Sequence, residues 1–395
     1  MEVFRIEYDR PTGTFAPGET VIGRVIVENR EPIKAKFLKV SFNGLARTGW
    51  SETEGGGAVT PKGHLIVYSS NKKYSGAIDF LSESTILWKA TEENRLPAGT
   101  HAFPFSFTIP ADCRPSYVGE HGSILYTVNA EFETGAWKFN KKSARYFIVK
   151  PVKDLNLIPN AVKRWECSKS INTGMFFKNG VVSMTVNIPK VGYVAGEIYP
   201  MTIDINNDSK LPVVAVRFQI KQYARFFASR GTNVRAYTHT HQKLHKKCVA
   251  ESKRNVQIAP KSRGQVVHSI EIPNVVQSFT CPVITLYYSV SVKVDTTSAF
   301  GATVKCYLPL IIGTIPIEEE APSAVMPTAP LCPVIEDGVA EASVHPTAPS
   351  EPQTSPGEFG AAPSASPSYE KSMSKSHRNV ATQTINKPSQ LYFFD

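Results

Sequence analysis

His239, His241, His245 and Cys248 fall within ten residues of one another. Imidazole nitrogens and thiolates are zinc donors, and His239 and His241 would share one face of a strand. Three lysines, Lys243, Lys246 and Lys247, stand among them and repel a cation, and no second ligand cluster follows. The stretch therefore reads as a hairpin or loop, and no metal ligands are assigned. Other reaction chemistry is not written here either. There is no GxSxG, no phosphate-binding GxxxxGK[ST] and no HExxH. Gly55-Gly56-Gly57 does not follow a strand and open a helix, so it reads as a flexible hairpin tip, not a phosphate cradle. No catalytic residue and no cofactor is expected, and the chain reads as a non-enzyme.

The chemistry that residue spacing does support is recognition. Pro327-Thr328-Ala329-Pro330 recurs as Pro346-Thr347-Ala348-Pro349. Both copies lie in 318–395, where 78 residues hold 11 Pro, 10 Ala and 5 Thr. Such a segment cannot bury enough apolar surface to fold alone, and a disordered Pro/Ala/Ser-rich tail is expected. At that composition about 0.01 copies of the tetrapeptide would arise by chance. P-T-A-P is what the UEV domain of the ESCRT-I complex reads, and its two prolines preset an extended backbone. At the end of the sequence, Leu391-Tyr392-Phe393-Phe394-Asp395 loosely fits a clathrin-type box, with Tyr392 a poor second residue.

Charge is unevenly spread. The chain has 44 Lys+Arg and 34 Asp+Glu; residues 318–395 hold 4 and 10 of these, leaving 40 and 24 in 1–317. A basic body beside an acidic tail suits an anionic partner: a membrane surface, a phosphorylated peptide or the tail itself. The cations concentrate in 217–263, which has 12 Lys+Arg and one acid, Glu251. Arg217, Lys221 and Arg225 would form a basic stripe on one strand face. Nucleic acid is not expected as a partner, because no recognised module or aromatic stacking platform accompanies the charge. The first residues, MEVFRIEYDRPTG, lack a basic n-region and an apolar h-region, no apolar run reaches 18 residues, and six scattered cysteines form no CxxC. A cytoplasmic protein with reduced thiols is expected.

The elements that must position these groups are strands. Phe4, Ile6 and Tyr8 alternate with Arg5, Glu7 and Asp9. The same period of two runs through Leu38–Phe42, Tyr126–Phe132 and Val214–Ile220. Turn signals such as Pro17-Gly18, Asn43-Gly44 and Pro97-Ala98-Gly99 separate the runs. Short alternating strands without amphipathic helices predict an all-β chain of immunoglobulin-like sandwiches. The plan occurs twice. Phe15–Asn29 resembles Tyr193–Asn207, each with a Gly-Glu turn before an apolar strand ending in Asn. Phe105–Pro110 resembles Val267–Pro273, and each precedes an aromatic strand, Ile124–Val128 and Ile284–Val290. Gly18 and Gly196 are expected to hold turns of positive φ.

Four ordered motifs now carry a resemblance. F-x-P-G-E-x-V-x-G begins at Phe15, and L-P-x-G-x-x-x-F-P-F-x-F-x-I-P at Leu96. The seam Pro151-Val-Lys-Asp-Leu-Asn156 follows, and the series closes on Gly313-Thr-Ile-Pro-Ile317. The series resembles the arrestin superfamily over about 1–317, and within it the α-arrestins, the arrestin-domain-containing proteins. The resemblance implies an N domain at 1–150, a linker at 151–158, a C domain at 159–317 and an adaptor tail at 318–395. It also implies membrane-protein cargo, protein transport and endocytosis, with recruitment from the cytoplasm to plasma membrane and endosomes. α-Arrestins recruit HECT-type ubiquitin ligases through PPxY motifs in WW-domain grooves. This tail has none; Ser366-Pro367-Ser368-Tyr369 comes nearest, with serine for the first proline. A ubiquitin-ligase adaptor and a structural or redox-linked scaffold stand as alternatives. The first strand has Arg5 but no lysine pair, which departs from the phosphate-reading arrestins.

Overall fold

Alternating burial produces the architecture: along Thr20–Asn29, Gly122–Glu133, Ile198–Ser209 and Val213–Arg230 one face is largely buried and the other wet. The computed structural model describes residues 2–91, 95–133, 140–173, 180–230, 241–297 and 303–318. By Cα proximity the chain divides into Met1–Ser323 and Ala324–Asp395. Every described residue belongs to the first unit, and none is helical. The two P-T-A-P copies, Ser366–Tyr369, Leu391–Asp395 and His239 lie outside the described residues.

The first sandwich contains β1 (Val3–Tyr8), β2 (Thr14–Phe15), β3 (Thr20–Asn29), β4 (Ile33–Lys34), β5 (Phe37–Val59), β6 (Leu65–Lys89), β7 (Arg95–Leu96), β8 (Gly99–Thr108), β9 (Tyr117–Gly119), β10 (Gly122–Glu133) and β11 (Lys141–Val149). One layer runs β1-β3-β8, and the other runs β6-β5-β10-β11 with β2 parallel on β11. Phe107 stacks on Phe42 at 3.9 Å between ring centres, closing the core between the layers.

The second sandwich contains β12 (Trp165–Asn172), β13 (Gly180–Ile188), β14 (Gly192–Val194), β15 (Ile198–Ser209), β16 (Val213–Arg230), β17 (His241–Ile258), β18 (Ser262–Glu271), β19 (Phe279–Thr280), β20 (Ile284–Thr296) and β21 (Val304–Gly313). Its layers are β12-β13-β15-β18 and β17-β16-β20-β21-β14. Phe218, Ile220 and Phe226 of β16 are fully buried beneath the first of these. Each such burial stabilises by about 1.5–3 kcal/mol.

The repeated plan extends to individual hydrogen bonds. Gly18 and Gly196 have φ of 83° and 85°. Gly18 N–H donates to the Ile109 carbonyl and Gly196 N–H to Ile272, each at 2.8 Å. Glu19 and Glu197 each accept from a backbone N–H three residues back, Ala16 and Val194. The strand-ending asparagines are buried. The Asn29 amide donates to the carbonyls of Glu31 and Pro97, and that of Asn207 to Leu211, Ile258 and Ala259. The repeat reads so clearly because buried amides and Gly-Glu turns allow few substitutes.

Three expectations are refined. The seam is not a free linker. Asp154 bridges Ile315, Leu155 is fully buried, and a Cβ on Gly313 would stand 2.6 Å from Leu155 Cγ. The seam motif and the closing motif are thus hydrogen-bonded to one another. Nor are the sandwiches separate bodies joined end to end. Ser229 and Arg230 of β16 pair with Ser75 and Tyr74 of β6, so one sheet of twelve strands passes through both. Gly55, Gly56 and Gly57 are also not the hairpin tip. They lie within β5, where a Cβ on Gly56 would collide with the Tyr68 ring across the ladder. The turn itself is Thr60–His64, closed by Thr60 N–H to the His64 carbonyl at 2.8 Å.

Candidate functional site

β16 is where buried and exposed chemistry separate most sharply. Val216, Phe218, Ile220, Ala224 and Phe226 point into the core, whereas Arg217, Gln219, Lys221, Tyr223 and Arg225 point outward. The partner strands add to that outer face. Across β17 and β20 respectively, Arg217 stands opposite Lys253 and Lys293, Lys221 opposite Cys248 and Ser289, and Tyr223 opposite Lys246 and Tyr287. β21 continues the rows, with Lys305 opposite Lys293 and Tyr307 opposite Ser291. One row therefore reads Lys253-Arg217-Lys293-Lys305 over four adjacent strands. At about 4.8 Å between strands these four cations span about 14 Å.

A β-bulge sets this composition. The pairing of β16 with β17 shifts between Ile220 and Lys221, leaving Val249 without an opposite residue. One extra residue reverses which side of β17 faces outward. Lys246 and Cys248 join the outer face, while Lys243 and His245 turn the other way. Lys243 bonds the Glu52 carboxylate at 2.6 Å, and His241 packs on the Tyr74 ring at 4.6 Å. His241 and His245 thus lie on the side of β17 opposite Cys248. Among the described residues no three His, Cys, Asp or Glu side chains cluster as metal ligands.

Few acids offset the charge. Asp295 pairs with Arg217 and, at 3.5 Å, with Lys293. Glu251 accepts from Gln219. Lys221, Arg225, Lys246, Lys253 and Lys305 have no ion pair among the described residues. Like charges opposite one another in a ladder are destabilising, so a bound anion would relieve this face. Aromatic rings lie between the cations. Tyr223 and Tyr287 stack at 5.0 Å with planes 8° apart. The Arg225 guanidinium is 5.8 Å from the Tyr287 ring centre, and the Lys246 ammonium 5.9 Å from that of Tyr223. The hydrogen-bonded Lys305 ammonium, helped by Lys221 and Lys246, holds the Tyr307 phenol below the usual tyrosine value. Clustered cations with rings among them can hold a polyanion at several points at once.

Arg217, Lys221 and Arg225 were legible from period-two spacing. Tyr223, Lys246, Tyr287, Lys293, Lys305 and Tyr307 were not assigned, because only strand register brings them together. Burial pushes Cys113 up to about 11 and Cys306 up to about 12, and burial and Glu251 raise exposed Cys248. No helix among the described residues is long and apolar enough to cross a membrane.

Comparison with known proteins bears on the two-domain fold. Residues 4–156 match the family model "Arrestin (or S-antigen), N-terminal domain", and 178–317 match "Arrestin (or S-antigen), C-terminal domain". Arrestin domain-containing protein 17 of Caenorhabditis elegans is 29% identical over 323 residues, covering 80% of this chain and 71% of that protein. Arrestin domain-containing protein 4 of Homo sapiens is 28% identical, with 78% and 70% covered. Arrestin domain-containing protein 1 of Rattus norvegicus is 26% identical over 373 residues, with 87% and 74% covered. With two sandwiches, the paired seam and closing motifs, and both domain models in order, the chain belongs to the arrestin superfamily, among the arrestin-domain-containing proteins or α-arrestins.

Proposed function

We propose that this chain is an adaptor in membrane-protein trafficking and endosomal sorting that binds without catalysing. The observation that carries this reading is the row Lys253-Arg217-Lys293-Lys305, with Lys221, Arg225 and Lys246 beside it. An anionic membrane surface presents many negative groups in a plane and suits such a flat cationic sheet face. A membrane-protein cargo would be gathered at the same surface. The tail from 318 to 395 reaches from there to the sorting machinery. Pro327–Pro330 and Pro346–Pro349 are its docking segments for the ESCRT-I UEV domain, and two copies raise local motif concentration although one domain holds one at a time.

Vesicle co-sedimentation tests the face. Lys221→Gln with Arg225→Gln removes two cations at about 1 kcal/mol each. Affinity for phosphatidylserine-containing vesicles should fall about thirtyfold, and less at high salt. Unchanged, salt-independent binding would sink the assignment. The ligase-adaptor reading rests on Ser366–Tyr369 as a degenerate WW ligand for a HECT-type enzyme. Cargo ubiquitination lost on Tyr369→Ala yet kept in Pro330→Ala/Pro349→Ala would favour it.

A further inference from the structure

The β5–β6 hairpin leaves the body of the molecule. β5 pairs with β10 only as far as Thr48, and β6 pairs with β16 only at Tyr74 and Ser75. Beyond these points, residues 51–59 and 65–73 pair only with each other, as a two-stranded ribbon. Nine residues from Tyr74 to Leu65 carry it about 30 Å. Its direction is set by the junction. β6 runs antiparallel to β16, so the ribbon extends past the Arg230 end of β16, the strand whose outer face carries the cations.

The outer part of this ribbon is apolar on both faces. Val59, Leu65, Ile66, Val67 and Tyr68 are all exposed, Val59 by 69% and Val67 by 74%. Leu65 and Val67 project from one side, Ile66 and Tyr68 from the other. A flat protein surface would cover one side only; an occupant that surrounds the tip covers both. Residues 55–71 contain no acid and one cation, Lys62 in the turn; behind them Lys72 pairs with Glu54, which leaves Lys73 as the second free cation of the ribbon among the described residues. The acids nearer the base, Glu52 and Glu54, are neutralised by Lys243 and Lys72.

We propose that the β5–β6 tip, Val59 with Leu65–Tyr68, inserts into the headgroup and outer acyl region of an anionic bilayer. This rests on the anionic-surface reading of the C-domain face and adds an apolar anchor to it. The backbone limits the depth. The outer edges of a lone two-stranded ribbon keep unpaired N–H and C=O groups, which the hydrocarbon core cannot satisfy. The tip therefore stops at the interface, where Tyr68, Lys62 and Lys73 remain among headgroups.

The test uses the full chain and vesicles of phosphatidylcholine with or without phosphatidylserine. Tyr68→Trp places a reporter in the tip; its added emission should shift to the blue and be quenched by bromine in the upper acyl chain. Ile66→Asp with Val67→Asp alters only exposed side chains, so its thermal midpoint should match the parent. It should bind anionic vesicles about tenfold more weakly, with the loss persisting at high salt. Unquenched reporter emission from vesicle-bound Tyr68→Trp protein overturns the insertion while leaving the cationic face in place. Quenching that survives Lys221→Gln/Arg225→Gln with undiminished binding keeps the insertion and overturns the face. A tip that engages a detergent-solubilised membrane protein but leaves vesicles unaffected overturns the lipid occupant. No vesicle binding by the parent overturns both.

Discussion

Tyr307 reports on the cationic face through a single proton. Its phenol is hydrogen-bonded to Lys305 and feels Lys221 and Lys246, so it should titrate below an ordinary tyrosine. Lys305→Met should move it back up, read by carbon-13 shifts of labelled tyrosine against pH; no movement would place Lys305 elsewhere. A second residue predicts acid sensitivity. His268 stacks on Phe218 at 3.9 Å and bonds Ser252, and burial first, then Arg254, lowers its pKa. A base with a lowered folded pKa is protonated more readily in the unfolded chain. Its stability contribution is therefore complete above about pH 6.5 and is lost as pH falls through the lower folded value. His268→Gln should flatten the pH dependence of urea unfolding in that window. Asn207 contributes through a buried amide that donates to three backbone carbonyls, that of Ile258 buried with it. Asn207→Ala leaves them unsatisfied and should cost about 2–4 kcal/mol in the same assay. The sequence pattern marked Asn207 as the repeated end of a strand. It did not show the partners, because Ile258 and Ala259 arrive from a hairpin fifty-odd residues on.

At the scale of elements, alternation foretold which side chains of β16 face outward from Val216 on; at the register shift before it the order reverses, with Val214 exposed and Ala215 buried. Period two is enforced by the backbone and is visible inside one strand. The lateral composition of the face was hidden, since it depends on the registers of β17, β20 and β21 and on the bulge at Val249. Three cation-bearing strands with unremarkable individual patterns assemble one surface. The β6–β16 junction was equally hidden, because pairing between Ser75 and Ser229 leaves no local mark. It has a sharp steric requirement. A Cβ on Gly76 would stand 2.7 Å from Thr48 Oγ1 and 2.9 Å from the Phe227 carbonyl oxygen. Thr48 Oγ1 itself donates to that carbonyl at 2.6 Å. Gly76→Val should pry this junction open. Calorimetry of the parent should show one cooperative transition, and the variant two; a single unchanged transition would mean the sandwiches are coupled elsewhere, as through the Asp154–Ile315 bridge.

At the scale of the molecule, the chain combines a cationic body with an acidic, motif-bearing tail, 40 against 24 charges in 1–317 and 4 against 10 in 318–395. Family membership came from an ordered series of motifs whose physical reasons the fold supplies: two Gly-Glu turns, and a seam strapped to the closing segment. The tail was legible only as composition and short motifs. In the proposed function the face would hold an anionic surface and the tail would recruit a sorting complex to it. The most direct measurement is recruitment of a labelled ESCRT-I UEV domain to phosphatidylserine vesicles by the full chain. The account predicts recruitment that is lost with Pro330→Ala/Pro349→Ala while the chain stays bound, and lost together with the chain in Lys221→Gln/Arg225→Gln. A UEV domain that stays in solution beside vesicle-bound parent chain, or arrives equally well without both P-T-A-P prolines, would contradict it.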